Sequence, residues 1–290
     1  KLHPEFSIQK LDYDDPDTYR MLGQGDTEGV FQLESSGMKQ VLVGLQPQNL
    51  EDIIALISLY RPGPMDSIPT YLRNRHEPDK ISYKTPQLAH ILDVTNGCIV
   101  YQEQVMQIFR ELAGFSFGQA DNVRRAMSKK KHAVMEAERE HFVHGCTEPG
   151  HECPGCVANG ISEKVANEIY DEMSSFASYA FNKSHAACYA YVAFQTAYLK
   201  CHYPSEFMAA LLTSVLDNTD KVIEYSGECA RLGIKVLPPD VNVSGGGFTA
   251  DENGQIRFGL NAVKNVGRNL IENVVRERRN KPYTSLYDFC

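Results

Sequence analysis

Five cations in eight residues make Arg124-Arg125-Ala126-Met127-Ser128-Lys129-Lys130-Lys131 the densest positive run of the chain, with no acid among them. On a helix Arg124 and Arg125 lie about 100° apart, with Ser128 and Lys129 one turn further on, so two or three of these side chains converge on one phosphate. A solvated basic face explains the same letters. A second segment runs Phe181-Asn182-Lys183-Ser184-His185. Asn182 or Ser184 can cap a helix there, and the free N–H groups, the dipole and the Lys183 charge all favour an anion at that end. In Leu59-Tyr60-Arg61-Pro62-Gly63-Pro64-Met65, Pro62 keeps Arg61 out of helical geometry and stiffens it, which suits bidentate phosphate recognition as well as a plain helix stop. Tyr189 or Tyr191 offers a π-face to a nucleobase, or simply core packing.

Several other chemistries are excluded. Ser184 and His185 are helix neighbours pointing about 100° apart, with no acid to complete a nucleophilic triad. Gly23, Gly25 and Gly29 miss the dinucleotide fingerprint by one residue and follow no strand, and no P-loop pattern occurs. A net charge of −8, from 29 Lys and Arg against 37 Asp and Glu, rules out a uniformly basic nucleic-acid binder but not a local basic site.

The cysteines divide in two. Five of the eight are dispersed like free thiols, whereas Cys146, Cys153 and Cys156 lie beside His144 and His151. Cys153-x-x-Cys156, with Cys146 and either His151 or His144, supplies the ligand types of a closed structural zinc site. Tolerated thiols in a surface loop are the alternative.

The elements that must position these residues are helical. Apolar spacing predicts helices over 50–60, 102–114, 118–143, 162–176, 184–202, 204–216 and 221–232, and a capped start at Asp15. Near Asp240 the texture changes. Phe248-Thr249-Ala250 and Gln255-Ile256-Arg257-Phe258 flank a Gly/Asn turn and predict a β-hairpin, followed by a helix, tight turn and second helix over 260–279. The expected fold class is therefore mainly α, with a multi-helix domain over 1–240 and a hairpin with paired helices over 241–290. No run reaches the ~18 apolar residues of a membrane span. A soluble cytoplasmic chain is expected, and the absence of an initiator Met suggests a piece of something longer.

Six ordered segments carry a family resemblance: Gly29-Val30-Phe31-Gln32-Leu33-Glu34-Ser35 with Gly37-Met38, Leu59 to Met65, Tyr101-Gln102-Glu103-Gln104-Val105-Met106, Arg124 to Lys130, Phe181 to His185, and Tyr203 to Leu212. Together they resemble the alpha subunit of bacterial DNA polymerase III, a family C polymerase. The resemblance implies the fingers, which close over the incoming deoxynucleoside triphosphate (dNTP). Carried over residue by residue, Arg61, Arg124, Arg125, Lys129, Asn182, Lys183, Ser184 and His185 form the triphosphate and template-primer surface, with Tyr189 near the base pair. The resemblance places the catalytic, Mg2+-binding carboxylates in a palm upstream, so this chain alone is expected to be inactive. Sliding-clamp and other replisome contacts would also fall outside it. Residues 260–278 resemble a helix-hairpin-helix, in which Lys264, Val266, Gly267 and Arg268 would meet a DNA backbone phosphate. Asn265 stands where the family usually has Gly.

Two readings compete with the fingers of a polymerase. One is a non-catalytic nucleic-acid-binding helical module, and the other is an interaction domain stabilised by zinc.

Overall fold

The computed structural model describes residues 5–129, 132–177 and 181–290, so Lys130 and Lys131 of the basic run lie outside the described residues. The helices are α1 (Pro16–Gly23), α2 (Ser36–Leu45), α3 (Leu50–Leu59), α4 (Ile68–His76), α5 (Ala89–Leu92), α6 (Gln102–Ala113), α7 (Phe117–Ser128) and α8 (His132–His144). They continue with α9 (Gly155–Ala158), α10 (Glu163–Ala177), α11 (Lys183–His202), α12 (Pro204–Ser214), α13 (Thr219–Arg231), α14 (Arg268–Glu277) and α15 (Leu286–Phe289). The chain divides into two compact units, residues 41–191 and residues 1–40 with 192–290.

The 41–191 unit is built around α6. Its N-terminus is fixed by Gln104, whose side-chain oxygen accepts from the Val100 and Tyr101 amides at 2.9 Å each. The same side chain donates to Thr95 Oγ1 at 2.7 Å, so a nearly buried amide is fully used. Gly114, at φ 74°, ends the helix in the left-handed geometry that glycine adopts without strain. Ser116 then caps α7. The buried face of α6, Val105, Ile108, Phe109 and Leu112, packs with Val123 of α7, Phe142 of α8 and Tyr170 of α10. Phe109 sits among aromatic rings, 5.0 Å from Phe142 and 5.3 Å from Phe115 between centroids.

In the other unit, Asp15 caps α1 by accepting from the Thr18 amide at 2.8 Å. Strands β1 (Val236–Leu237), β2 (Thr249–Ala250) and β3 (Ile256–Arg257) form a sheet in the order β1-β3-β2. The expected hairpin is the antiparallel pair β2 and β3, with Thr249 opposite Arg257. The parallel partner β1 was not foreseen. Met208, Leu212, Tyr225, Cys229, Phe248 and Ile256 form its core. On α11, Ala193, Phe194 and Ala197 are fully buried.

Other expectations need adjusting. The single helix expected over 118–143 is two, α7 and α8. Helices α2 and α4 were not predicted. Among the described residues no helix is long and apolar enough to cross a membrane.

Candidate nucleotide and nucleic-acid interface

The starts of α6 and α11 are brought together by backbone. Tyr101 and Phe181 pair as a parallel bridge, with the Gln102 amide donating to the Phe181 carbonyl at 2.9 Å. This pairing joins two of the sequence-nominated segments. Asn182 caps α11, its Oδ1 accepting from the His185 amide at 2.9 Å. Its Nδ2 donates to Glu103 Oε1 at 2.9 Å, and both Glu103 oxygens stand 3.2 Å from the Lys183 amide. The helix end where an anion was expected thus already holds a carboxylate.

Arg61, Arg124, Arg125 and Lys183 each have a partner. Lys183 Nζ lies 2.9 Å from Glu51 and 5.3 Å from the Tyr101 ring centre. The Tyr101 hydroxyl, buried in the same corner, has no hydrogen-bond partner. Arg124 donates from Nε and Nη2 to Asp121 at 3.0 and 2.8 Å, and from Nη1 to Gln102 at 3.0 Å. Arg125 reaches the other Asp121 oxygen at 2.7 Å, although its side chain remains 66% exposed. The hydrogen bond from Arg124 holds the Asp121 carboxyl below its ordinary pKa. Arg61 stands 4.0 Å over the Phe181 ring, and burial pulls its pKa down. The Phe181 ring contacts His185 at 5.3 Å, and His185 contacts Tyr189 at 4.7 Å. A row of guanidinium and rings therefore runs from Arg61 to Tyr189.

Lys129 and Ser184 are exposed. A cleft of about 430 Å³ opens on this corner, bordered by Gln102, Glu103, Asp121, Arg124 and Asn182. Sequence reasoning found the cations and missed Glu51, Glu103, Asp121 and Phe181. Periodicity gives no signal for Glu103 and Phe181, because the Tyr101–Phe181 pairing spans some eighty residues, whereas Asp121 stands at helical spacing from Arg124 and Arg125. A ring of cations pre-oriented by carboxylates and amides is equipped to exchange those partners for phosphate oxygens.

The hairpin region departs from expectation at its first helix, which is a single 3-10 turn, Leu260–Ala262. Asn265 does take the left-handed conformation, φ 64°. Gly267 opens α14, and Lys264, Gly267 and Arg268 are exposed while Val266 is half-buried. Arg268 is paired with Asp217 at 2.8 Å.

The zinc set does not assemble in this geometry. Cys146 and Cys153 face each other as a backbone pair, Cys156 is buried in the core, and His151 is exposed. No three of the four bring ligand atoms within 4.8 Å of one another; among the described residues only Asp15, Cys201 and His202 do so. The Asp15 carboxylate there already serves the α1 cap and His202 at 2.8 Å. Burial, with Cys153 nearby, pushes the Cys156 thiol up to about 12. The neck of this loop is a glycine crossing: a Cβ on Gly155, at φ +78°, would stand 2.3 Å from the Gly145 nitrogen. Gly155→Ala is expected to cost about 2–4 kcal/mol, read as a lowered denaturation midpoint; an unchanged midpoint would contradict this packing.

A glycine-opened helix beside an exposed left-handed turn, and a helix end ringed by Arg61, Arg124 and Lys183, are features of the class of proteins that handle phosphate-bearing chains and nucleotides. Residues 1–150 match the bacterial DNA polymerase III alpha subunit finger domain, and residues 233–290 match a helix-hairpin-helix motif. The chain is 50% identical over 291 residues to DNA polymerase III subunit alpha of Thermus aquaticus, covering 98% of this chain and 23% of the relative. It is 46% identical over 286 residues to the subunit of the same name from Bacillus subtilis (strain 168), covering 99% of this chain and 25% of that relative. The chain belongs to the bacterial DNA polymerase III alpha subunit family and carries its finger domain. It spans about a quarter of the length of these curated relatives.

Proposed function

We propose that this chain supplies the fingers of a replicative DNA-directed DNA polymerase. In this reading residues 1–240 receive the incoming dNTP and the template-primer, and residues 241–290 steady the DNA backbone through Lys264, Val266, Gly267 and Arg268. The observation that carries it is the convergence of Arg61, Arg124, Asn182 and Lys183 on the joined starts of α6 and α11. Arg125, Lys129, Ser184 and His185 extend the same anion-seeking surface. Tyr189, at the end of the aromatic row, faces the base pair.

The chemistry is nucleotidyl transfer in the cytoplasm of a bacterium, and the Mg2+ it requires is held by carboxylates outside this chain. The acids present here do not fit that metal: Glu51, Glu103 and Asp121 are each engaged by a cation or an amide. Replisome partners such as the sliding clamp would bind elsewhere on the polypeptide. Zinc has no part in the proposal, given the geometry of the cysteine loop.

Glu103 defines a measurable consequence. Its carboxylate accepts from the groups that a phosphate would use, so Glu103→Gln in the full-length polypeptide is expected to lower the KM for dNTP about threefold. A raised KM would mean that Glu103 only holds the Asn182 turn. The proposal itself is tested by primer extension with Mg2+ and all four triphosphates, run on the full-length polypeptide and on this chain. Extension by the longer protein alone is expected. Extension by this chain would show that its own carboxylates are catalytic.

A further inference from the structure

The cleft between α6 and α7 has a second end that the anion site does not use. Gln102, Met106 and Arg110 follow one another at four-residue intervals along α6, and Phe117, Asp121 and Arg124 do the same along α7 at intervals of four and three, so each helix turns one face into the cleft. Gln102 and Arg124 meet at one end, 3.0 Å apart. Arg110 and Phe117 meet at the other, with the guanidinium 5.9 Å from the ring centre. Eight residues of helix separate Gln102 from Arg110, about 12 Å along the axis, close to the reach of a nucleotide from phosphate to base edge.

Phe117 is the unusual residue here. It is 65% exposed, although its neighbours Ala120 and Val123 are buried in the core. An exposed phenyl ring with a guanidinium 5.9 Å from its centre, in a cleft that Met106 and Gln107 also line, presents the kind of surface on which nucleobases stack. We propose that this cleft holds one nucleotide, its base flat on Phe117 beside Arg110 and its phosphate turned toward Arg124 and Asn182. The inference deepens the fingers reading and rests on it. The nucleotide is either the incoming triphosphate or a member of the template strand, and the same chemistry serves both.

The test uses the full-length polypeptide with Phe117→Leu, which keeps an apolar side chain and removes the π-face, and Phe117→Trp, which restores one. Two constants are measured for each: the KM for dNTP in primer extension, and the Kd for primer-template without dNTP. A rise of about 5- to 10-fold in one of them for Leu, reversed by Trp, is expected. A rise in KM alone assigns the site to the incoming nucleotide, and a rise in Kd alone assigns it to the strand. No change in either constant, or Trp behaving like Leu, overturns the proposal. So does a lowered melting temperature with both constants intact, which would mean that this face packs against another part of the protein. Lys183→Met separates the two levels of inference. If it weakens dNTP binding while Phe117→Leu is silent, only this site is lost; if both are silent, the fingers reading falls with it.

Discussion

Lys183→Met in the full-length polypeptide is expected to raise the KM for dNTP about 30-fold while leaving the fold intact. The lysine stands at the first turn of α11, where dipole and charge favour the same anion, and its loss removes a charge-assisted contact worth about 2 kcal/mol. Methionine keeps the side-chain stem beside the Tyr101 ring, which the ammonium approaches to 5.3 Å. The substitution also leaves Glu51 without its 2.9 Å partner, close to where the phosphate would arrive. Part of the penalty is therefore repulsion, and Lys183→Met with Glu51→Gln should recover about a third of it on a logarithmic scale. Steady-state extension kinetics at saturating primer-template distinguish these contributions. A KM unchanged in the single variant would remove Lys183 from the site.

Lys200→Met is expected to destabilise the chain by about 3 kcal/mol. Lys200 is a buried cation, 1% exposed at its side chain, with Nζ 2.7 Å from Glu228, 3.0 Å from Asp26 and 3.0 Å from the Glu28 carbonyl. Removing one member of a buried ion pair leaves charge without compensation, at about 3–5 kcal/mol. The lower end applies because Arg231 also bonds Asp26 and Glu228. Burial raises the pKa of both acids, but the hydrogen bonds and charges of Arg231 and Lys200 outweigh it and hold Asp26 and Glu228 below their ordinary values of 3.8 and 4.5. Folded values below the unfolded ones give stability that is complete above the ordinary pKa and is lost as pH falls through the lowered folded values. Without Lys200 those folded values rise, so acid unfolding should begin at higher pH. Denaturant titrations across pH 2 to 7 check both statements, and a midpoint within experimental scatter of the parent would contradict them.

How much of this was legible in the sequence follows physical lines. The helices with a strong apolar stripe, such as α6 and α13, follow from periodicity, with α6 ending at Gly114 as expected and α13 starting two residues before the expected 221, behind the Asn218 cap. α2 escaped because Gly37 and Gly44 weaken its propensity, and α4 because Arg73, Asn74 and Arg75 crowd a nine-residue helix. β1 could not be read, since its pairing with β3 joins residues twenty apart and only two residues are involved. The left-handed turn at Asn265 was visible from residue type, whereas the shortening of the preceding helix to one 3-10 turn was not. In the site, a run of cations advertises itself. Glu51 and Glu103 do not, because they look like ordinary helix-surface acids until the fold brings them to the start of α11, whereas Asp121 pairs with Arg124 and Arg125 along its own helix. The cysteine loop shows the converse, in that suitable ligand types sit close in sequence and Cys146 and Cys153 are paired through the backbone, yet no three of the ligand atoms fall within 4.8 Å of one another.

The most direct test is photo-crosslinking of an azido-dNTP to the full-length polypeptide on a primer-template, with the adducts mapped by peptide mass spectrometry. The fingers reading predicts adducts within residues 59–65, 101–129 and 181–191, suppressed by unmodified triphosphate and lost in Lys183→Met. Adducts that are competed by unmodified triphosphate but fall entirely outside those three stretches would contradict it.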